Sequence, residues 1–273
     1  MNTRWLQVLI VGTLLFAGVD VAIRATGNPN FFPTMLLLGA FVIPVTFVVF
    51  FYEHVRDRDI SIPLLGVCFI GGGVVGLIAA GIVEYSTLQS LGIGGLVGVG
   101  IIEEAAKLIF PIAMFIGWRY RHEADGLLFG VSAGMGFAAL ETMGYGLVTL
   151  IQSQGDITAL QQTLLIRGLL SPAGHAAWCG LICAVLWRER ERVGRISIGL
   201  PVIGVFVLAV ALHASWDIIN SANISNALDW VGMGALSVLS LSLLLLRYFE
   251  ARRIKPAINV SLEHGGANAQ PVA

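Results

Sequence analysis

The sequence predicts an all-α polytopic membrane protein, a bundle of about eight transmembrane helices with both termini in the cytoplasm. Three observations carry that prediction. Of the 273 residues, 56% are hydrophobic and only 12% charged, with a mean hydropathy of +0.84; an ordinary soluble domain carries about 25% charged residues. The apolar residues gather into eight runs near the length of about 20 residues that a helix needs to cross a hydrocarbon core. The cations fall almost wholly on alternate loops. Together these exclude a soluble globular enzyme and a disordered chain. With 16 Lys+Arg against 17 Asp+Glu there is no basic field to attract phosphate, which excludes a nucleic-acid binder.

The eight runs are residues 5–23, 31–52, 63–83, 95–118, 124–151, 172–187, 196–219 and 227–249. The first reads as a retained span, because Ala17-Gly18-Val19-Asp20 offers no small-x-small cleavage site. The sixth is the shortest and is headed by Ser171-Pro172. Residues 157–170 before it hold Gln161, Gln162 and Arg167 and read as an interfacial helix leading into the membrane. Arg4, Arg56, Arg58, Arg119, Arg121, the four arginines from Arg188 to Arg195, Arg247, Arg252, Arg253 and Lys255 all fall on one side, which the positive-inside rule makes cytoplasmic. The other side has only Arg24 and Arg167, and Lys107 lies within the fourth run. Residues 251–273 are polar and read as a disordered cytoplasmic tail. Residues 1–250 then form one transmembrane domain, with a catalytic core at about 95–220. Gly126, Gly130 and Gly134, like Gly72 and Gly76, recur at spacing four and predict close helix approach. Cys68, Cys179 and Cys183 sit in apolar runs and read as packing residues.

An ionisable residue at mid-bilayer costs about 2.5–3.5 kcal/mol, yet this chain has a cluster of them. Glu103, Glu104 and Lys107 lie in the fourth run, Glu141 in the fifth, His175 at the head of the sixth, and His213 with Asp217 near the end of the seventh. At about 1.5 Å per residue, Glu103 and Glu104 fall roughly 12 Å below the outer end of their span, and Glu141 roughly 14 Å below its own. His213 and Asp217 fall within about 10 Å of theirs. Four spans thus bring carboxylates and imidazoles to one layer in the outer half of the membrane. Glu141 lies seven residues after Gly134, on the face where a neighbour can come close. A single Glu–Lys107 pair would be explained as a buried ion pair setting helix register, and a single His as a neutral helix contact. The sum argues against packing alone. Glu103, Glu104, Glu141 and Asp217 face one Lys, with Arg167 at the outer interface, so some carboxylates must be protonated, be paired with His⁺, or hold a cation. His54, His122 and Glu84 read as solvated surface groups.

These motifs resemble the PrsW-type intramembrane proteases, which are related to CAAX prenyl endopeptidases and bacteriocin-processing membrane proteases. The resemblance rests on Glu103-Glu104-x-x-Lys107 (an E-E-x-x-K motif) and on Phe137-x-x-x-Glu141 after a Gly-rich approach. It continues in Arg167…Ser171-Pro172-x-Gly174-His175 and in Leu212-His213-x-x-Trp216-Asp217. It spans residues 95–220; Thr142 stands where the family pattern has Asn. What the resemblance implies is regulated proteolysis of a membrane-anchored protein substrate in a bacterial cell membrane. The substrate class is a single-span anti-sigma factor, cut outside the membrane core.

Peptide hydrolysis needs an activated water, a stabilised oxyanion and a proton for the leaving amine. In a glutamate version, Glu104 with Glu103 beside it is the general base and Glu141 completes the carboxylate group. His175 and His213 serve the oxyanion or the amine, Lys107 neutralises a glutamate, and Asp217 fixes the His213 tautomer. In a metal version, Glu141, His175 and His213 ligate a divalent ion such as zinc, with Glu104 as base. The lack of H-E-x-x-H tilts the sequence slightly towards the first. Partners are the lipid bilayer and a membrane-anchored protein, with no nucleic acid. Two other classes fit the residues: a proton- or cation-coupled transporter, which needs a water path to both faces, and a non-catalytic scaffold gripping partner helices.

Overall fold

Helix is the structure that satisfies a backbone's hydrogen bonds without water, and the described elements are helical throughout, with no strand among the described residues. The computed structural model describes residues 3–55, 60–87, 92–117, 119–221 and 227–253; of the tail expected at 251–273, the part beyond residue 253 lies outside them. In order the helices are α1 (Arg4–Thr26), α2 (Phe32–His54, after a 3-10 turn Pro29–Phe31), α3 (Ile62–Thr87), α4 (Gly92–Lys107) and α5 (Ile109–Ile116). They continue as α6 (Glu123–Gln152), α7 (Ile157–Leu170), α8 (Ala177–Val193), α9 (Leu200–Ser221) and α10 (Ala227–Arg253).

Seven helical stretches among the described residues are long and apolar enough to cross a membrane. The fourth expected span, 95–118, is broken: α4 ends at Lys107 and α5 starts at Ile109. Pro111 is the reason. It has no N–H for the carbonyl of Lys107 four residues earlier, and its ring crowds that carbonyl. Leu108 takes up a tighter turn instead, its N–H bonding the carbonyl of Ala105 at 3.2 Å, and the freed Lys107 carbonyl faces the Cys179 thiol. Trp118 lies outside the described residues.

The segment 157–170 is not a separate interfacial helix. It runs into the next span as one helical stretch, Ile157–Val193, with Leu160, Leu164 and Gly168 buried. Pro172 does not end the helix; residues Pro172–Ala176 widen into a single π-turn carrying His175. A π-turn leaves backbone groups out of the regular ladder and is common at functional sites.

α6 is the axis of the bundle, buried almost continuously from Glu123 to Ala139. α3 packs on one side and α8 on the other, each through glycines. A Cβ at Gly136 would collide with the carbonyl of Phe69 on α3, and one at Gly134 with the carbonyl of His175 on the π-turn. Gly126 and Gly130 meet the carbonyls of Cys183 and Cys179 in the same way, so the spacing-four glycines and the buried free cysteines are the two halves of one close contact.

Candidate active site

α4 carries Glu103, Glu104 and Lys107 within one turn. Lys107 Nζ lies 2.7 Å from Glu104 Oε1 and 3.2 Å from Glu103 Oε2, and it also sits 4.6 Å from the centroid of the Phe137 ring. α9 comes close at Gly100, where a Cβ would stand 3.3 Å from the Val210 carbonyl and 3.6 Å from His213 Cβ. That approach seats His213 on Glu104: Nδ1 donates to Oε1 at 2.8 Å. Nε2 then points past Asp217 Oδ2 at 3.4 Å and Glu103 Oε2 at 3.7 Å. Glu104, rather than the expected Asp217, makes the short bond that orients this imidazole. Trp178 stacks on it with ring centroids 4.8 Å apart and is itself held by Nε1–H donating to Ser240 Oγ at 3.1 Å. Sequence reasoning missed both Trp178 and Ser240. Trp178 had a signal, lying three residues after His175 on the same helical face; Ser240, on α10, had none.

The other limb of the site grows from α6 and the π-turn. Glu141 Oε1 accepts the Arg167 guanidinium at 3.0 Å, and Oε2 lies 3.2 Å from His175 Nε2. Arg167 in turn lies over the Tyr145 ring, its Cζ 3.8 Å from the centroid. Glu103 joins the two limbs. Single ligand atoms of Glu103, Glu141 and His175 lie within 4.8 Å of one another, the one such group of three among the described residues.

That trio differs from the expected ligands Glu141, His175 and His213. Glu103 stands in this group and His213 does not; His213 Nε2 lies 3.7 Å from Glu103 Oε2, at the edge of the group. The residues fit a divalent cation. Glu103 Oε2 and Glu141 Oε2 are buried without a hydrogen-bond partner, although Glu103 Oε2 is 3.2 Å from Lys107 Nζ and Glu141 Oε2 is 3.2 Å from His175 Nε2. Two ligands on one tetrahedral zinc, each about 2.0–2.1 Å from it, stand about 3.3 Å apart, so close contact without a hydrogen bond suits this chemistry. Two carboxylates and an imidazole form the oxygen/nitrogen set of a catalytic site with an open position.

Exposure sorts the eight predicted residues, all of which gather in this cluster. The side chains of Glu104 and Lys107 are 0% exposed and that of His213 5%, whereas Glu103 reaches 10%, Glu141 and His175 15%, and Arg167 and Asp217 23%. The first group forms a closed floor; the second faces outward. Beside His175 and Arg167 a cavity of about 50 Å³ opens against Thr142, Gly174 and Trp216, so Thr142 lines the approach to the site. Glu84 is not a solvated surface group: it is half-buried, with Oε1 shielded from solvent, and it lies within electrostatic reach of Glu141, His213, Lys107 and Asp217.

The profile of the PrsW family intramembrane metalloproteases matches residues 61–246, about two thirds of the 273-residue chain. The chain belongs to the PrsW family. No curated protein and no solved structure matches it. The PrsW match reaches beyond the four motifs, taking in α3 and most of α10 while leaving out α1 and α2. Membership makes the chain an integral multi-pass protein of an intramembrane protease family. The family is described as metalloproteases, and Glu103, Glu141 and His175 form a group that could hold a metal ion.

Proposed function

We propose that this PrsW-family chain hydrolyses a peptide bond of a single-span, membrane-anchored protein, an anti-sigma-factor-like substrate cut near the outer side of the membrane. The observation that carries this reading is the convergence of two carboxylates and an imidazole from three separate elements, next to a second Glu–His pair. Glu103, Glu141 and His175 would hold a divalent cation. Such an ion supplies Lewis acidity, polarising the scissile carbonyl and activating water.

The remaining steps belong to the side chains. Glu104 takes the proton of the attacking water through Oε2, which has no hydrogen-bond partner while Oε1 is anchored to Lys107 and His213. The proton that Glu104 takes from the water passes to the leaving amine, while His213, its Nδ1–H donated to Glu104, holds that carboxylate in place. Arg167 holds Glu141 in register, and Lys107 balances the charge of the two adjacent glutamates. A substrate helix must unwind locally before its carbonyl is open to attack. The π-turn at Pro172–Ala176 sets His175 where that unwound strand would lie.

The test is cleavage of a single-span reporter by purified wild-type protein and by Glu104→Gln, each with and without a strong chelator. The expected result is loss of cleavage in both treatments, with activity of the wild type restored by added zinc. Full activity in chelator would overturn the cation assignment and return the reaction to glutamate alone. No cleavage of a broad reporter panel would overturn the protease reading, leaving a scaffold or a cation-coupled carrier.

A further inference from the structure

Glu84 stands apart from every role assigned above. On α3, positions 73, 76, 80 and 84 share one face. The first three are packed tightly: a Cβ at Gly73 would lie 2.6 Å from the carbonyl carbon of Gly136, and one at Gly76 3.1 Å from the Phe137 ring. Ala80 is buried with Ala106 and Phe137. α3 and α6 run in the same direction, since Ser132 bonds Leu65 while Gly73 meets Gly136. The next turn of this face therefore carries Glu84 alongside Glu141, one turn beyond the apolar seal over the catalytic floor.

Each carboxylate around it has an ion-pair neighbour within 4 Å. Lys107 serves Glu103 and Glu104, Arg167 and His175 serve Glu141, and His213 serves Asp217. Among the described residues no cation pairs with Glu84, and its Oε1 is shielded from solvent without a hydrogen-bond donor. Leaving such an oxygen unsatisfied costs the desolvation of the group. Nor is Glu84 part of the ligand group of Glu103, Glu141 and His175. It is near enough to feel the site's charges, and no described residue supplies the partner it lacks.

We propose that Glu84 is a specificity-determining residue whose carboxylate receives a Lys or Arg side chain of the substrate close to the scissile bond. The inference rests on the proteolytic reading of the neighbouring site. The substrate chemistry follows from position. Glu84 lies three residues before the end of α3, and a long cationic side chain near the end of a single-span helix carries its charge at that interfacial depth. An acidic residue at the same place would meet Glu84, Glu141 and Asp217 together and be repelled.

The experiment uses three single-span reporters that differ only in carrying Lys, Ala or Glu at positions flanking the cleaved bond. Each is presented to the wild type, to Glu84→Gln and to Glu84→Arg. The wild type is expected to rank them Lys, Ala, Glu by kcat/KM. Glu84→Gln should lower the Lys-to-Ala ratio about tenfold, and Glu84→Arg should invert the order of the Lys and Glu reporters. Ratios taken within one protein are insensitive to partial misfolding. The same ranking is expected for capture of uncleaved reporter by full-length protein carrying Glu104→Gln, a readout that needs no turnover. Identical ratios in all three proteins, in cleavage and in capture, would overturn the role of Glu84. Charge-ranked capture with no cleavage by the wild type would keep the recognition role and overturn the protease instead.

Discussion

Replacing Lys107 by methionine keeps most of the side chain's length and removes its charge from a site with no solvent exposure. Lys107 Nζ is 2.7 Å from one carboxylate and 3.2 Å from another. At an effective dielectric constant of about 20 these separations correspond to attractions of about 6 and about 5 kcal/mol. Much of that is offset by the desolvation of the ammonium, which the mutation recovers, so the net effect is the cost of stranding buried carboxylates, about 3–5 kcal/mol. At about 2–4 °C per kcal/mol for a chain of this size, the melting temperature should fall by about 6–20 °C. The assay is built into the protein. Its three cysteines, Cys68, Cys179 and Cys183, are free and buried, so a thiol-reactive fluorophore in detergent reports unfolding directly. Glu104→Gln combined with Lys107→Met should recover part of the loss, because the double variant strands one carboxylate fewer. A single variant melting within about 2 °C of the wild type, or a double variant no more stable than Lys107→Met, would refute the claim that this ammonium is the counter-charge on which the cluster depends.

Two further predictions follow from the same geometry. Because His213 is oriented by Glu104 at 2.8 Å and only approached by Asp217 at 3.4 Å, His213→Gln should lower kcat on a cleavable reporter by about 10²–10³, and Asp217→Asn by less than about tenfold; equal losses would refute that ordering. Gly134→Ala forces a methyl group against the His175 carbonyl, an overpacking cost of about 1–3 kcal/mol. It should lower both the melting temperature and the metal content of the purified protein, measured by elemental mass spectrometry, while Gly144→Ala, whose Cβ meets nothing within 4 Å, should lower neither.

Much of the site was legible before any coordinates, for a reason peculiar to membranes. Ionisable side chains are so costly in hydrocarbon that their presence is already a signal, and helix rise converts sequence position into depth. Glu103, Glu141, His175 and His213 were placed in one layer by that arithmetic, and the structure brings them into contact. Glu84 escaped because it sits near a helix end, where a charge costs little and a solvated reading is the natural one. Only its place on the α3 face that packs against α6 turns it inward.

The sequence by itself determined the all-helical membrane architecture, the glycine faces and the identity of the polar cluster, since each follows from one-dimensional quantities: hydropathy, spacing and the cost of burying charge. The tertiary structure alone decided the partners. The break at Leu108 needed the competition between Pro111 and the apolar run that surrounds it, and the fusion of residues 157–170 to the following span needed the packing that buries Leu160 and Leu164. That Glu103, and not His213, groups with Glu141 and His175 follows from where α4 and α9 aim these side chains. That is a matter of side-chain directions across three helices, and no periodicity within one helix contains it.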